Sequence, residues 1–155
     1  MNKERTAVLI LEGEITDAQI AKIPKDFQGD IVVNGDIICD ERCEILGSLW
    51  LNGNVDVAYL KVNGDLFGEE GINIVTAHGV DVSGDVVLKN CYINVTDINV
   101  GGDFEGSRYI NSTCINVYGK FKFDGRIDLN SYEIHAGKLE LDAEIENCSR
   151  IKTGW

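Results

Sequence analysis

The sequence predicts an all-β fold, a right-handed, three-sided parallel β-helix (β-solenoid) of about seven coils with an N-terminal strand and short helix as its cap. Three observations predict this fold. A glycine-centred phrase returns every 18 residues or so, apolar and polar residues alternate within each repeat, and 17 glycines stand against one proline. Many glycines with almost no proline are typical of a backbone that turns repeatedly where only glycine fits.

The repeated phrase is apolar–x–Gly–Asp–apolar, as in residues 82–86, Val-Ser-Gly-Asp-Val. The separations between successive lead glycines are 18, 17, 20, 18, 17, 18 and 17 residues. A period in this range is typical of stacked supersecondary units. It predicts a capping segment over residues 1–28 and a solenoid over residues 29–155. The lead glycines are Gly29, Gly47, Gly64, Gly84, Gly102, Gly119, Gly137 and Gly154.

Within one repeat the pattern has a period of two, which is the period of a β-strand. In the first coil, residues 31–33, 37–39 and 43–45 are three apolar–x–apolar pieces, so we expect three strands per coil. Alternate residues should then point inward and stack on their equivalents about 4.8 Å away in the next coil. The inward column two residues after each lead glycine is apolar throughout: Ile31, Leu49, Leu66, Val86, Phe104, Phe121 and Leu139.

The position of glycine within the phrase bears on handedness. In the left-handed acyltransferase helix, whose coils have a similar length, a small residue directly follows the inward apolar residue. Here glycine stands two positions after it, as in Val82-Ser83-Gly84. This offset favours a right-handed coil.

The first 28 residues do not follow the repeat. Residues 6–15 read as a strand, and Thr16 or Asp17 is suited to cap a short helix over residues 18–23 that Pro24 ends. Covering the end of a solenoid hides its unpaired strand edges. The alternative is that this segment folds back over one face of the solenoid.

Three copies of the phrase resemble the repeat of bactofilins, the polymer-forming cytoskeletal proteins of bacteria. They are residues 33–37 (Val-Asn-Gly-Asp-Ile), 62–66 (Val-Asn-Gly-Asp-Leu) and 82–86 (Val-Ser-Gly-Asp-Val). The resemblance covers roughly residues 29–145. It implies a right-handed triangular β-helix that associates with copies of itself as a scaffold or filament.

Composition restricts the classes of partner. Acidic residues number 26 against 14 basic ones, for a net charge of −12. This excess argues against direct nucleic-acid binding, which needs a basic surface, and against binding to anionic membranes. No apolar run is long enough to span a membrane or to serve as a secretion signal. The five cysteines, an odd number without a CxxC pair, predict a reducing compartment, the cytoplasm.

Neither a metal, nor a cofactor, nor a catalytic site is predicted, and we expect a protein that is not an enzyme. The aspartates that follow the lead glycines could hold a cation such as Ca²⁺, but we favour their accepting backbone N–H groups at each corner. Cys39 and Cys43 are predicted to be buried rather than to bind metal. The nearly minimal coils, with two extra residues placed around 76–79, predict no concave pocket for a substrate.

The most informative feature is an outward column on the first strand of each coil. It holds Val32, Trp50, Phe67 and Val87, with Ile38 nearby on the next face. Contiguous exposed apolar residues mark interfaces, and Trp and Phe are frequent anchors. The column continues with charged residues: Glu105, Lys122 and Glu140.

This column predicts a non-enzymatic interaction or scaffold protein that binds a protein partner or a second copy of itself. Trp155 is predicted either to close the C-terminal end or to extend the contact. A second outward face is predicted to be acidic and asparagine-rich: Asp56, Asn73, Asn94, Asn111, Asp128 and Glu146.

An alternative function is mimicry of nucleic acid. An acidic rod could inhibit a basic nucleic-acid-binding protein by presenting carboxylates where phosphates would lie. The candidate residues are Asp30, Asp36, Asp56, Asp65, Asp85, Asp103 and Asp128.

Overall fold

The computed structural model describes residues 7–155, and in that part of the chain it is a parallel β-solenoid of about eight coils with about 70% of residues in strands. The predicted three-sided β-solenoid is confirmed. The predicted strand start at Thr6 lies outside the described residues. The elements are β1 Val8–Glu12, α1 Asp17–Ala21, β2 Asp30–Asn34, β3 Ile37–Ile45, β4 Leu49–Leu51, β5 Val55–Val62, β6 Leu66–Gly68, β7 Asn73–Val82, β8 Val86–Asn94, β9 Asp97–Val100, β10 Phe104–Asn111 and β11 Cys114–Thr153.

Each strand pairs in parallel with strands one coil before and one coil after it, which produces three faces. Face A contains β1, β2, β4 and β6 and the first residues of β8 and β10. Face B contains the first halves of β3, β5 and β7 and the second halves of β8 and β10. Face C contains the second halves of β3, β5 and β7, then β9 and the start of β11.

The interior is the stack of inward residues, as their alternation along the strands predicts. Leu49, Leu66 and Phe121 are completely buried. In the later coils the interior becomes aromatic, and the ring centroids of Phe104 and Phe121 lie 5.1 Å apart. Each fully buried side chain of this size contributes about 1.5–3 kcal/mol through removal of apolar surface from water. Leu139, the last member of the predicted inward column, is only half-buried.

The Gly–Asp corners stack as closely as the strands do. The N–H of Gly84 donates to the carbonyl of Gly64 at 3.0 Å, and the N–H of Asp85 donates to Asp65 Oδ1 at 2.7 Å. A Cβ on Gly84 would overlap Asp65 Oδ1 of the preceding coil. Glycine and aspartate therefore recur together because the carboxylate of one coil occupies the space above the glycine of the next.

The N-terminal segment adds a partial coil to the solenoid. Strand β1 pairs in parallel with β2 on face A, with Ile10 beside Val32. Helix α1 begins at the N-cap Thr16, ends before the predicted residue 23 and packs against β3. The alternative that this segment folds back over face A is wrong for the described residues, because β1 lies in the plane of that face.

One feature of the predicted register is wrong. The two extra residues of the longest coil lie in the loop between β6 and β7, around 69–71, and not around 76–79. On face B, Val75 therefore lies beside Asp56, while Asn73 pairs with Tyr92. A period count locates an insertion only to within one coil, because any of the three corners can absorb it.

Candidate functional site

The outward column of face A forms one continuous apolar surface, here called the apolar stripe: Ile10, Val32, Trp50, Phe67 and Val87. The rings of Trp50 and Phe67 stack at its centre, with centroids 4.2 Å apart and planes inclined by 28°. Trp50 is 45% exposed and Ile10 58% exposed, while Val32, Phe67 and Val87 are half-buried by their neighbours. Five successive coils thus place an apolar side chain in contact with water.

The alternation of the strands directs these side chains outward. Leu49 and Leu51 are both buried, so the residue between them, Trp50, must point to solvent. The sequence analysis missed Ile10, because β1 carries no Gly–Asp phrase to give its register. The run Leu9-Ile10-Leu11 has the right alternation, but a strand without a repeat signal can be aligned to either face.

One edge of the apolar stripe is a ladder of hydrogen-bonded aspartates. The N–H groups of Asp85, Asp103 and Lys120 donate to the Oδ1 of Asp65, Asp85 and Asp103, at 2.7, 2.8 and 2.8 Å. Asp30 starts the ladder by accepting the N–H of Ser48 at 3.1 Å. The favoured interpretation of these aspartates as acceptors at the corners is confirmed. No cluster of His, Cys, Asp and Glu suited to hold a metal occurs within residues 7–155.

The second part of face A has the same backbone but a charged surface. Glu105 pairs with Lys89 at 3.4 Å and with Lys122 at 3.8 Å, and Glu140 pairs with Lys120 at 3.8 Å. These side chains border an open depression of about 550 Å³, so the expectation that the coils form no concavity is wrong. The acids and bases bordering the depression are engaged with one another.

Face B carries two further exposed apolar residues near the apolar stripe. Ile38, a predicted contact residue, is 45% exposed, and Val75 is 36% exposed. Asp56 lies between them in the same column. Val75 was missed because the predicted register placed Asn73 at this position.

Trp155 lies at the other end of the molecule from the centre of the apolar stripe. Its ring stacks on Tyr118 at 4.3 Å and on His135 at 3.4 Å between centroids. His135 Nε2 lies 2.7 Å from the carbonyl of Gly154. Trp155 therefore covers a histidine of the preceding coil, and Leu139 and Ile145 in the last coil stay half-buried.

The cysteines are free thiols. Cys39 and Cys43 are buried, as predicted from their inward positions. Burial raises the pKa of Cys39 to about 11 and the pKa of Cys43 to about 12, and the nearby Asp17 carboxylate acts in the same direction. Both groups therefore remain neutral thiols at physiological pH, which does not favour metal binding or nucleophilic chemistry.

Most of the candidate mimic carboxylates have structural hydrogen bonds. Besides the ladder of Asp30, Asp65, Asp85 and Asp103, the Oδ1 of Asp36 accepts the N–H of Asn54 at 2.8 Å. These five residues lie at the corners of the coils. Asp128 accepts from Asn147 Nδ2 at 2.9 Å, and Asp56 is exposed on face B.

No protein-family model, curated protein or solved structure matches this chain. None of the helices in residues 7–155 has the length and apolar character needed to cross a membrane.

Proposed function

We propose that this chain is a non-enzymatic interaction or scaffold protein that binds a protein partner, or a second copy of itself, through the apolar stripe. One observation carries the proposal. The outward column of face A is apolar in five consecutive coils and charged in the next positions, Glu105, Lys122 and Glu140. A fold that tolerates charge at this column in its later coils does not require apolar residues there in its early ones.

The energetics favour an interface at this place. Burying exposed apolar area contributes about 25 cal/mol per Å², and Trp and Phe supply the largest areas per residue. The backbone beneath the apolar stripe is already paired with neighbouring strands on both sides, so a partner would cover side chains without leaving peptide groups unsatisfied.

The test is a double substitution, Trp50→Ser with Phe67→Ser. Both side chains are outside the core, so we expect the circular dichroism spectrum to be retained while partner binding or self-association is lost. The matched control is Glu105→Ser with Lys122→Ser, on the same face and equal in number. Sedimentation velocity measures self-association, and affinity purification with mass spectrometry measures partner capture.

Two results would contradict the proposal. One is association that persists in the Trp50/Phe67 variant, and the other is equal loss in both variants. A wild-type chain that is monomeric at high concentration would rule out self-association and leave the protein partner.

The alternative proposal, mimicry of nucleic acid, is supported by the distribution of charge: residues 7–100 hold 16 acidic and five basic residues. It is less favoured because most of its candidate carboxylates also bind the backbone of the next coil. Mimicry predicts binding to a basic protein that falls steeply with salt and is insensitive to Trp50→Ser, measured by titration at several salt concentrations.

A further inference from the structure

We infer that the partner seated on the apolar stripe is a basic amphipathic α-helix of another protein, lying along the solenoid axis. This inference rests on the proposed function. It names the chemistry of the partner and excludes a second copy of this chain as the main occupant.

The first argument is the location of the unbalanced charge. Residues 7–100, which contain the whole apolar stripe, have 16 acidic and five basic residues, whereas residues 101–155 have nine acidic and seven basic ones. In the later coils the charges pair: Lys120, Lys122, Arg126 and Arg150 each lie within 4.0 Å of a carboxylate. The protein is therefore almost neutral beyond the apolar stripe and strongly acidic around it.

The second argument is the position of the carboxylates beside the apolar stripe. Asp30, Asp65 and Asp85 each stand two residues before a member of the stripe, about 6–7 Å along the strand. Each uses Oδ1 for a backbone N–H of the next coil. Within the described part of the chain, none of the three is in an ion pair, so a row of negative charge runs parallel to the apolar surface.

The third argument concerns a second copy. A two-fold interface can place the two rods antiparallel or parallel. With antiparallel rods the aspartate row of one copy faces the aspartate row of the other, since the two-fold axis then runs along the strands. With parallel rods Glu105 faces Glu105 and Lys122 faces Lys122. Like charges directly opposite are unfavourable, so both arrangements are disfavoured.

The fourth argument is the spacing of the apolar side chains. An α-helix rises about 5.4 Å per turn, close to the 4.8 Å or so between coils. Across the four steps from Ile10 to Val87 the two repeats drift by only about 2–3 Å. A helix of about 13 residues spans this length, with an apolar residue on each turn and Lys or Arg on the side that faces Asp30, Asp65 and Asp85.

The test uses a synthetic amphipathic peptide of about 18 residues with leucines on one face and lysines beside them, and a counterpart with glutamate in place of each lysine. One protein variant carries Asp30→Asn, Asp65→Asn and Asp85→Asn, which keeps the Oδ1 acceptors. The matched control carries Asp40→Asn, Asp56→Asn and Asp97→Asn, and it changes the net charge equally at sites on faces B and C. The Kd is measured by titration calorimetry at several salt concentrations.

We expect the lysine peptide to bind and the glutamate peptide not to bind. Loss of three flanking carboxylates should weaken binding about five- to thirty-fold, while the control triple should change Kd by less than about two-fold. Equal weakening in both triples, no binding of the lysine peptide, or a wild-type dimer that Trp50→Ser with Phe67→Ser dissociates would overturn the inference. The same Trp50/Phe67 variant separates the two levels: if it binds the peptide as the wild type does, the proposed function fails, whereas a failure confined to the aspartate variants leaves that function standing.

Discussion

The early and late parts of face A share one backbone and differ in their outward chemistry. Trp50 and Phe67 stack as an apolar pair, whereas Glu105 and Lys122 at equivalent positions form an ion pair. Beneath both parts the interior is equally apolar and buried. The comparison shows that the fold constrains the inward column and leaves the outward column open.

An outward column without a structural constraint is available to function. Exposed apolar side chains scattered singly are normal on a protein surface, but five in register on consecutive coils form a contiguous patch. The ion pairs of the later coils show what the same positions contain when solubility is the only requirement. The following predictions test this comparison.

The largest effects are expected in the interior, and they should be similar in both parts. Leu66→Ala in the early part should destabilise the protein by about 2–5 kcal/mol and Phe121→Ala in the late part by about 3–5 kcal/mol, because each leaves a cavity in a fully buried column. Urea denaturation measures both. The control Lys122→Ala, an outward neighbour of Phe121, should stay within about 0.5 kcal/mol. A small effect in either part would break the premise that the interior is continuous.

The next effect is expected at the Gly–Asp corner that both parts share. Gly102→Ala should cost about 1–3 kcal/mol, because its Cβ would overlap Asp85 Oδ1 of the preceding coil. In an Asp85→Ala background the same substitution should cost about 1 kcal/mol less, since the overlapping atom is gone. Strict additivity of the two substitutions in urea denaturation would contradict this explanation of the motif.

The aspartate ladder should distinguish the two parts of the molecule. Asp65→Ala should cost about 1–2 kcal/mol, because the buried side of the corner loses the acceptor for the N–H of Asp85. Asp65→Asn keeps an oxygen acceptor and should cost less. In the late part Lys120 accepts no such bond, so Lys120→Ala should change thermal stability very little. Equal effects at positions 65 and 120 would show that the ladder is not structural.

The smallest effect is expected for the ion pairs of the late part. Glu105→Ala removes two exposed pairs, with Lys89 and Lys122, and should cost less than about 1 kcal/mol. The cost should shrink further as salt is raised, because screening weakens exposed pairs. Thermal denaturation at low and high salt measures the difference. A large, salt-independent loss would indicate that this surface is structural after all.

Much of the fold was predictable because the interior repeats. The inward column, the three strands per coil and the outward direction of Trp50 follow from the period of two and the spacing of the glycines. The position of the two-residue insertion was not predictable, because a corner residue and a strand residue such as Asn73 carry similar local signals. Ile10 and Val75 were missed for the same reason: their register is set by pairing with another coil.

The sequence by itself determined the coil length, the apolar interior and the chemistry of the outward column, because these depend on local alternation and on the period of the repeat. Only the tertiary structure decided that β1 extends face A, that Val75 stands beside Asp56, and that Trp155 covers His135. These are contacts between residues in different coils, and long-range pairing is what selects them. The apolar stripe combines both: its side chains could be read in order along the chain, but its full length of five coils exists only in the stacked molecule.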